Sequence, residues 1–166
     1  MRTRLPALVG LTISLALPAA AQQTKCDGPQ DVCQAVADIG RKYDEAFSKQ
    51  DAAGVAALYT PDAVLVAEAP IIHGQDAIQK FYAGLAKAGQ MGKHSVEIDQ
   101  VHVQGNTAWG VGSWQVNPSS GGPPVHGNWG AAYAPEGGTW KIRMLTANVI
   151  QTPPGQLAAG TRVRSD

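Results

Sequence analysis

Glu68, Tyr43, four histidines and a close pair of cysteines are the groups in this sequence that could carry chemistry. Glu68 is flanked by Ala67 and Ala69 in a stretch that is otherwise apolar from Ala63 to Ile72. A carboxylate in such a place either reaches solvent at a strand end or sits in a pocket with a raised pKa. Solvent is the commoner outcome. Facing inward, Glu68 is the candidate general base. Tyr43 falls on the apolar side of a helical pattern, where a tyrosine more often packs in a core, its hydroxyl satisfied by one partner, than catalyses. His73 precedes Gly74 and reads as a loop residue. His94, His102 and His126 lie in separate segments whose spacing supports no metal site, so no metal is expected. Glu97 and Asp99 share a strand face and read as solvated. Ser113, Ser119 and Ser120 stand in no nucleophile motif. The glycines at 105, 110, 112, 121 and 122 open no helix and so build no phosphate cradle; no cofactor is expected.

The elements that must position these groups show in the apolar periodicity. Val32, Val36, Ile39, Tyr43 and Phe47 recur at steps of three and four from Asp31 to Lys49, one face of a helix. Asp51 can cap a short second helix carrying Val55, Leu58 and Tyr59. Ala63 to Ala67 is β-prone, and Pro70 to Ile72 is a second short strand. Ile78, Phe81, Tyr82 and Leu85 mark a third helix that Gly89 stops.

Beyond Gly89 the period changes to two. Val96 and Ile98 share one face while Val101 and Val103 share the other, a slip that predicts a β-bulge near Asp99 or Gln100. A Gly105-Asn106 turn leads to a strand with Ala108, Gly110, Gly112, Trp114 and Val116 on one face and Trp109 on the other. Gly110 and Gly112 beside Trp114 make room for a close approach. Gly127 to Tyr133 is a further strand. Trp140, Ile142, Met144, Thr146 and Asn148 are read as one face of the last. Helices first and an antiparallel meander second predict an α+β fold, a curved sheet wrapped around the long first helix.

Composition narrows the function. The chain of 166 residues carries 13 basic and 13 acidic side chains and no basic patch, so no nucleic-acid partner is expected. Arg2 and Arg4 precede an apolar run from Leu5 to Leu17, and Ala19-Ala20-Ala21 offers a small-residue cleavage site, which is the anatomy of a secretory signal peptide. The reading is therefore a signal peptide over 1–21, an arm over 22–30, one domain over 31–152 and a loose tail over 153–166. Such a protein is exported, periplasmic or secreted, with no membrane contact after cleavage. About 145 residues then remain, enough to bury roughly two-thirds of the chain's surface. In an oxidising compartment Cys26 and Cys33, the 2 cysteines of the chain, are expected to pair and pin the arm to the first turn of helix one. Free thiols are the bland alternative.

The stretch from Tyr43 to Leu85, YDEAFSKQDAAGVAALYTPDAVLVAEAPIIHGQDAIQKFYAGL, resembles the opening of the SnoaL-like and ketosteroid-isomerase-like families of the nuclear transport factor 2-like superfamily. The resemblance extends roughly from Val36 to Val149. It implies a cystatin-like cone with an internal pocket, and often a homodimer through the open sheet face, where an exposed Trp109 would fit. In the isomerases a tyrosine on helix one binds the developing oxyanion, an aspartate moves the proton and a protonated aspartate assists. Tyr43 matches that tyrosine. Ala67 stands at the base position and Trp129 near the assisting one, so the usual isomerase mechanism is not expected. The first expectation is an exported module that binds a small, mostly apolar molecule in a pocket lined from Tyr43, Tyr59, Trp114, Trp129, Met144 and Asn148. The alternatives are an acid–base enzyme using Glu68 and Tyr43, or a structural dimerisation module.

Overall fold

The long helix α1, Gln30–Ser48, follows the apolar steps in its sequence and buries Val32, Val36, Ile39 and Phe47 on one side. The computed structural model describes residues 25–67 and 70–151. The expected signal peptide over 1–21, the start of the arm, Glu68 and the tail over 153–166 lie outside the described residues. Ahead of α1 runs a three-residue strand, β1, Lys25–Asp27. The disulfide between Cys26 and Cys33 ties it to the first turn of the helix.

Asp51 caps the short α2, Ala52–Ala56, by accepting from the backbone N–H of Gly54 at 2.8 Å. Strand β2 then runs Tyr59–Val66 and β3 covers Ile72–His73. Helix α3, Gln75–Lys87, starts after Gly74 and buries Ile78 and Tyr82. The Gln75 side chain locks this corner by donating to the carbonyls of Ala56 and Tyr59, each at 3.0 Å. Gly89 follows α3 with φ +68°, the left-handed turn that glycine adopts without penalty.

Four long strands form the wall: β4 Gly92–Gln104, β5 Thr107–Pro118, β6 Val125–Glu136 and β7 Thr139–Val149. They pair antiparallel in chain order within a seven-stranded sheet ordered β1-β4-β5-β6-β7-β2-β3. The flanks break the pattern, because β1 joins β4 and β2 joins β7 in parallel. The sheet is thus curved and unclosed, an antiparallel meander with a parallel strand on each side. Between Ile98 and Gln100 the β4–β5 register skips a residue, placing a bulge at Asp99. Such a bulge bends a strand and reverses which side chains face inward. α1 crosses the concave side close to β4, where a Cβ on Gly40 would lie 3.2 Å from Val96 Cγ2. Among the described residues, no helix is long and apolar enough to cross a membrane.

One inward face differs from its expected register. The β6–β7 pairing skips at Arg143, since Ala132 opposes Met144 while Tyr133 opposes Ile142. Beyond that bulge the parity of β7 reverses. Ile142 and Leu145 are buried, whereas Met144 and Asn148 are exposed on the convex side. Met144 and Asn148 therefore do not line a pocket.

Candidate functional site

Between α1, α3 and the concave face of the sheet lies a cavity of about 670 Å³. Most of its wall is apolar, including Phe47, Leu65, Phe81, Val96, Ile98, Trp129 and Leu145. Of the expected lining residues, Tyr43, Trp114 and Trp129 border it. Tyr59 sits behind the wall, wholly buried in the core. Met144 and Asn148 point outward for the reason given above. Ala67 also lines the cavity; of its neighbour Glu68 nothing is described.

The two tryptophans take their places from cross-strand glycines. Trp114 on β5 opposes Gly127 on β6, and Trp129 on β6 opposes Gly112 on β5. The indole of Trp129 donates towards the carbonyls of Glu97 at 3.2 Å and Ser113 at 3.1 Å. That of Trp114 donates to the carbonyl of Asn128 at 3.2 Å. With their N–H groups satisfied, both rings can present carbon faces to the cavity.

Polar groups enter from α1, α3 and the start of β4. His94 shares its strand face with Val96 and Ile98 and borders the cavity. Its side chain is 5% exposed, and Nδ1 lies 2.7 Å from Oδ1 of Asp44, the residue after Tyr43 on α1. Asp44 is itself oriented, since Oδ2 accepts from the backbone N–H of Val96 at 3.1 Å. The backbone N–H of His94 donates to Ser48 Oγ at 3.0 Å. Ring packing fixes the imidazole further: its centroid is 4.5 Å from Phe47, 5.4 Å from Tyr43 and 6.3 Å from a nearly parallel Trp114.

Next to this pair lies a chain of hydroxyls. Tyr43 and Tyr82 are 2.6 Å apart, and Tyr82 and Tyr59 are 3.0 Å apart. Three hydroxyl protons serve two hydrogen bonds. Tyr59 is sealed in the core with Tyr82 as its hydrogen-bond partner, so it donates to Tyr82. The surplus proton then belongs to Tyr43 or Tyr82, and both border the cavity. Burial, before any neighbour's charge, holds Tyr43 and Tyr59 well above the usual tyrosine pKa of 10.0 and raises Tyr82 as well. These hydroxyls stay protonated and act as donors.

The remaining histidines lie elsewhere. His102 faces Asp27 of β1 at 3.0 Å, and His73 and His126 are exposed. Glu97 and Asp99 are exposed too. The His94–Asp44 pair was not anticipated from sequence. One signal was present: His94 keeps the alternation of Val96 and Ile98, so whichever way those two point, the imidazole follows.

The family model for the SnoaL-like domain matches residues 40–146, which run from α1 through the β7 bulge. The chain belongs to the SnoaL-like domain family. Solved structures share this SnoaL-like fold at low identity. A domain of unknown function with a cystatin-like fold from Nostoc punctiforme superposes with TM-score 0.67 at 16% identity, covering 78% of this chain and 84% of the other. A ketosteroid isomerase-like protein from Erwinia carotovora atroseptica gives 0.64 at 19%, with 74% and 99% covered. A nuclear transport factor 2-like superfamily protein from Salmonella enterica gives 0.61 at 18%, with 76% and 96% covered. At such identities the likeness concerns the fold. No curated protein matches the sequence. The cavity wall itself carries the imidazole of His94, with Asp44 paired to it from α1.

Proposed function

We propose that this SnoaL-like domain binds a small, mostly apolar molecule in the cone and holds its polar end at the wall formed by His94 and Tyr43. One observation carries the reading: a cavity of about 670 Å³ has an aromatic and aliphatic lining in which Tyr43, Tyr82 and His94 are clustered. A few placed polar groups in a preformed apolar cavity are the ordinary anatomy of a small-molecule site. The test is native mass spectrometry of protein purified from its own host, paired with thermal melts in the presence of bicyclic aromatic probes. The expected result is a co-purified small molecule, or stabilisation by a probe. Neither appearing would leave the cavity without a ligand and end the reading.

A second reading makes the same wall an acid–base site. It is favoured by the 2.7 Å contact of His94 with Asp44, because a base oriented by a carboxylate is a recurrent catalytic arrangement. In this form His94 takes the part first assigned to Glu68, and Tyr43 or Tyr82 donates to developing negative charge. Loss of any turnover in His94→Gln, with ligand binding retained, would separate it from simple binding. Work outside the cytoplasm belongs to both readings and is supported by the Cys26–Cys33 disulfide. A homodimer through the convex sheet face is supported by the row Trp109, Ala132 and Met144 across β5, β6 and β7. Trp109 and Met144 are each 44% exposed there.

A further inference from the structure

We infer that the polar end accepted by this cavity is a weakly acidic hydroxyl, a phenol or an enol, that donates its hydrogen bond to Nε2 of His94. The inference rests on the reading of the cavity as a small-molecule site and specifies what that site selects. A neutral imidazole carries one N–H. The Asp44 carboxylate is held by the N–H of Val96 and can only accept, so it draws that hydrogen onto Nδ1. Nε2 is left with a lone pair. Among the described residues it has no hydrogen-bond partner, and it is not sealed away from the cavity that His94 borders.

Three further contacts keep the imidazole from turning to satisfy itself elsewhere. The backbone of His94 is tied to Ser48, and the rings of Phe47 and Trp114 flank the imidazole. A ligand ether or carbonyl placed against Nε2 would meet lone pair with lone pair and leave both unsatisfied. A hydroxyl fills the vacancy, and its own oxygen remains available to the surplus tyrosine proton. Sites built around a hydrogen-bonding partner discriminate strongly against analogues that lack it. The aromatic walls favour a planar, conjugated skeleton to carry that hydroxyl.

The experiment compares 2-naphthol with its methyl ether, 2-methoxynaphthalene, by isothermal titration into the disulfide-bonded protein. The ether is the more apolar molecule and would bind better in a cavity that ignored the hydroxyl. The expected result is 2-naphthol tighter by about tenfold or more, and a preference that vanishes in His94→Phe. Nitrogen-15 spectra of the wild-type protein supply a second measurement should that variant fold poorly: 2-naphthol, and not the ether, should move the Nε2 resonance. Equal affinities, or an Nε2 signal unmoved by bound 2-naphthol, would overturn the hydroxyl inference and leave the small-molecule reading standing. Binding of neither probe would overturn the hydroxyl inference, and together with the absence of any co-purified molecule would remove the small-molecule reading as well.

Discussion

Trp129 stands directly across from Gly112, and its Nε1 lies 3.0 Å from the point where a Cβ on that glycine would sit. The same imagined Cβ would come within 1.9 Å of the Glu97 carbonyl oxygen, to which Trp129 also donates. Trp114 repeats the relationship with Gly127, where a Cβ would lie 2.8 Å from Nε1 and 1.7 Å from the carbonyl oxygen of Asn148. The missing side chains are what let two large rings cross their neighbouring strands and wall the cavity.

Gly112→Ala and Gly127→Ala should therefore each destabilise the fold by at least about 3 kcal/mol, the upper end of the usual overpacking cost, because the clash is with a backbone carbonyl and not a movable side chain. Gly84→Ala should do the reverse. It lies exposed in α3 with nothing within 4 Å of its would-be Cβ, and replacing a helical glycine gains about 0.5–1 kcal/mol. Urea unfolding of the three variants checks both signs.

The 4 tyrosines of the chain are all buried or packed against the core, and burial raises every one above the usual 10.0. Once unfolded, they would ionise near that value. Their contribution to stability is thus complete below about pH 10 and is lost as the pH rises through the higher folded values. An absorbance titration should show no tyrosinate step near pH 10 in the folded protein. Ionisation and unfolding should instead arrive together at higher pH. A separate step near pH 10 with the fold intact would contradict the burial of the hydroxyl chain.

On the convex face, Trp109→Lys together with Met144→Lys should turn the proposed dimer into a monomer by light scattering and leave the melting temperature of the domain nearly unchanged. Both side chains are exposed and lie in one cross-strand row. Charges placed at the centre of an apolar interface are desolvated without partners. A wild-type protein that is monomeric at all concentrations would refute the proposed interface.

Cys26→Ser should cost about 2–3 kcal/mol, the loop-closure value for so short a loop. Adding reductant to the wild-type protein should lower the urea midpoint by the same amount, and the variant should be insensitive to reductant.

Much of the scaffold could be read from residue patterns, because local rules and tertiary packing agree there. The α1 face from Val32 to Phe47 is one stripe, the β5 face from Ala108 to Val116 is one row, and the bulge at Asp99 shows as a parity slip. The β7 bulge left the same kind of trace. Ile142 is followed on the opposite parity by Leu145, Ala147 and Val149, but Met144 and Thr146 also fit the unbroken alternation. Which parity wins is decided by the β6 partner and the parallel β2, not by β7 itself. The polar wall was less legible. Asp44 and His94 are 50 residues apart, and nothing near either one announces that a helix side chain will reach a strand.

The contacts between α1 and β4 also bear on how this protein keeps to itself. Without cover, β4 would border the sheet with a long row of unpaired backbone groups, a template for another chain. Before the bulge, the N–H groups of His94 and Val96 are taken by Ser48 and Asp44. After it, Gln100 to His102 pair with β1. The disulfide ties that short strand to α1, so the bridge that pins the arm also helps hold the second half of the guard. One covalent loop thus contributes to keeping an adhesive border covered.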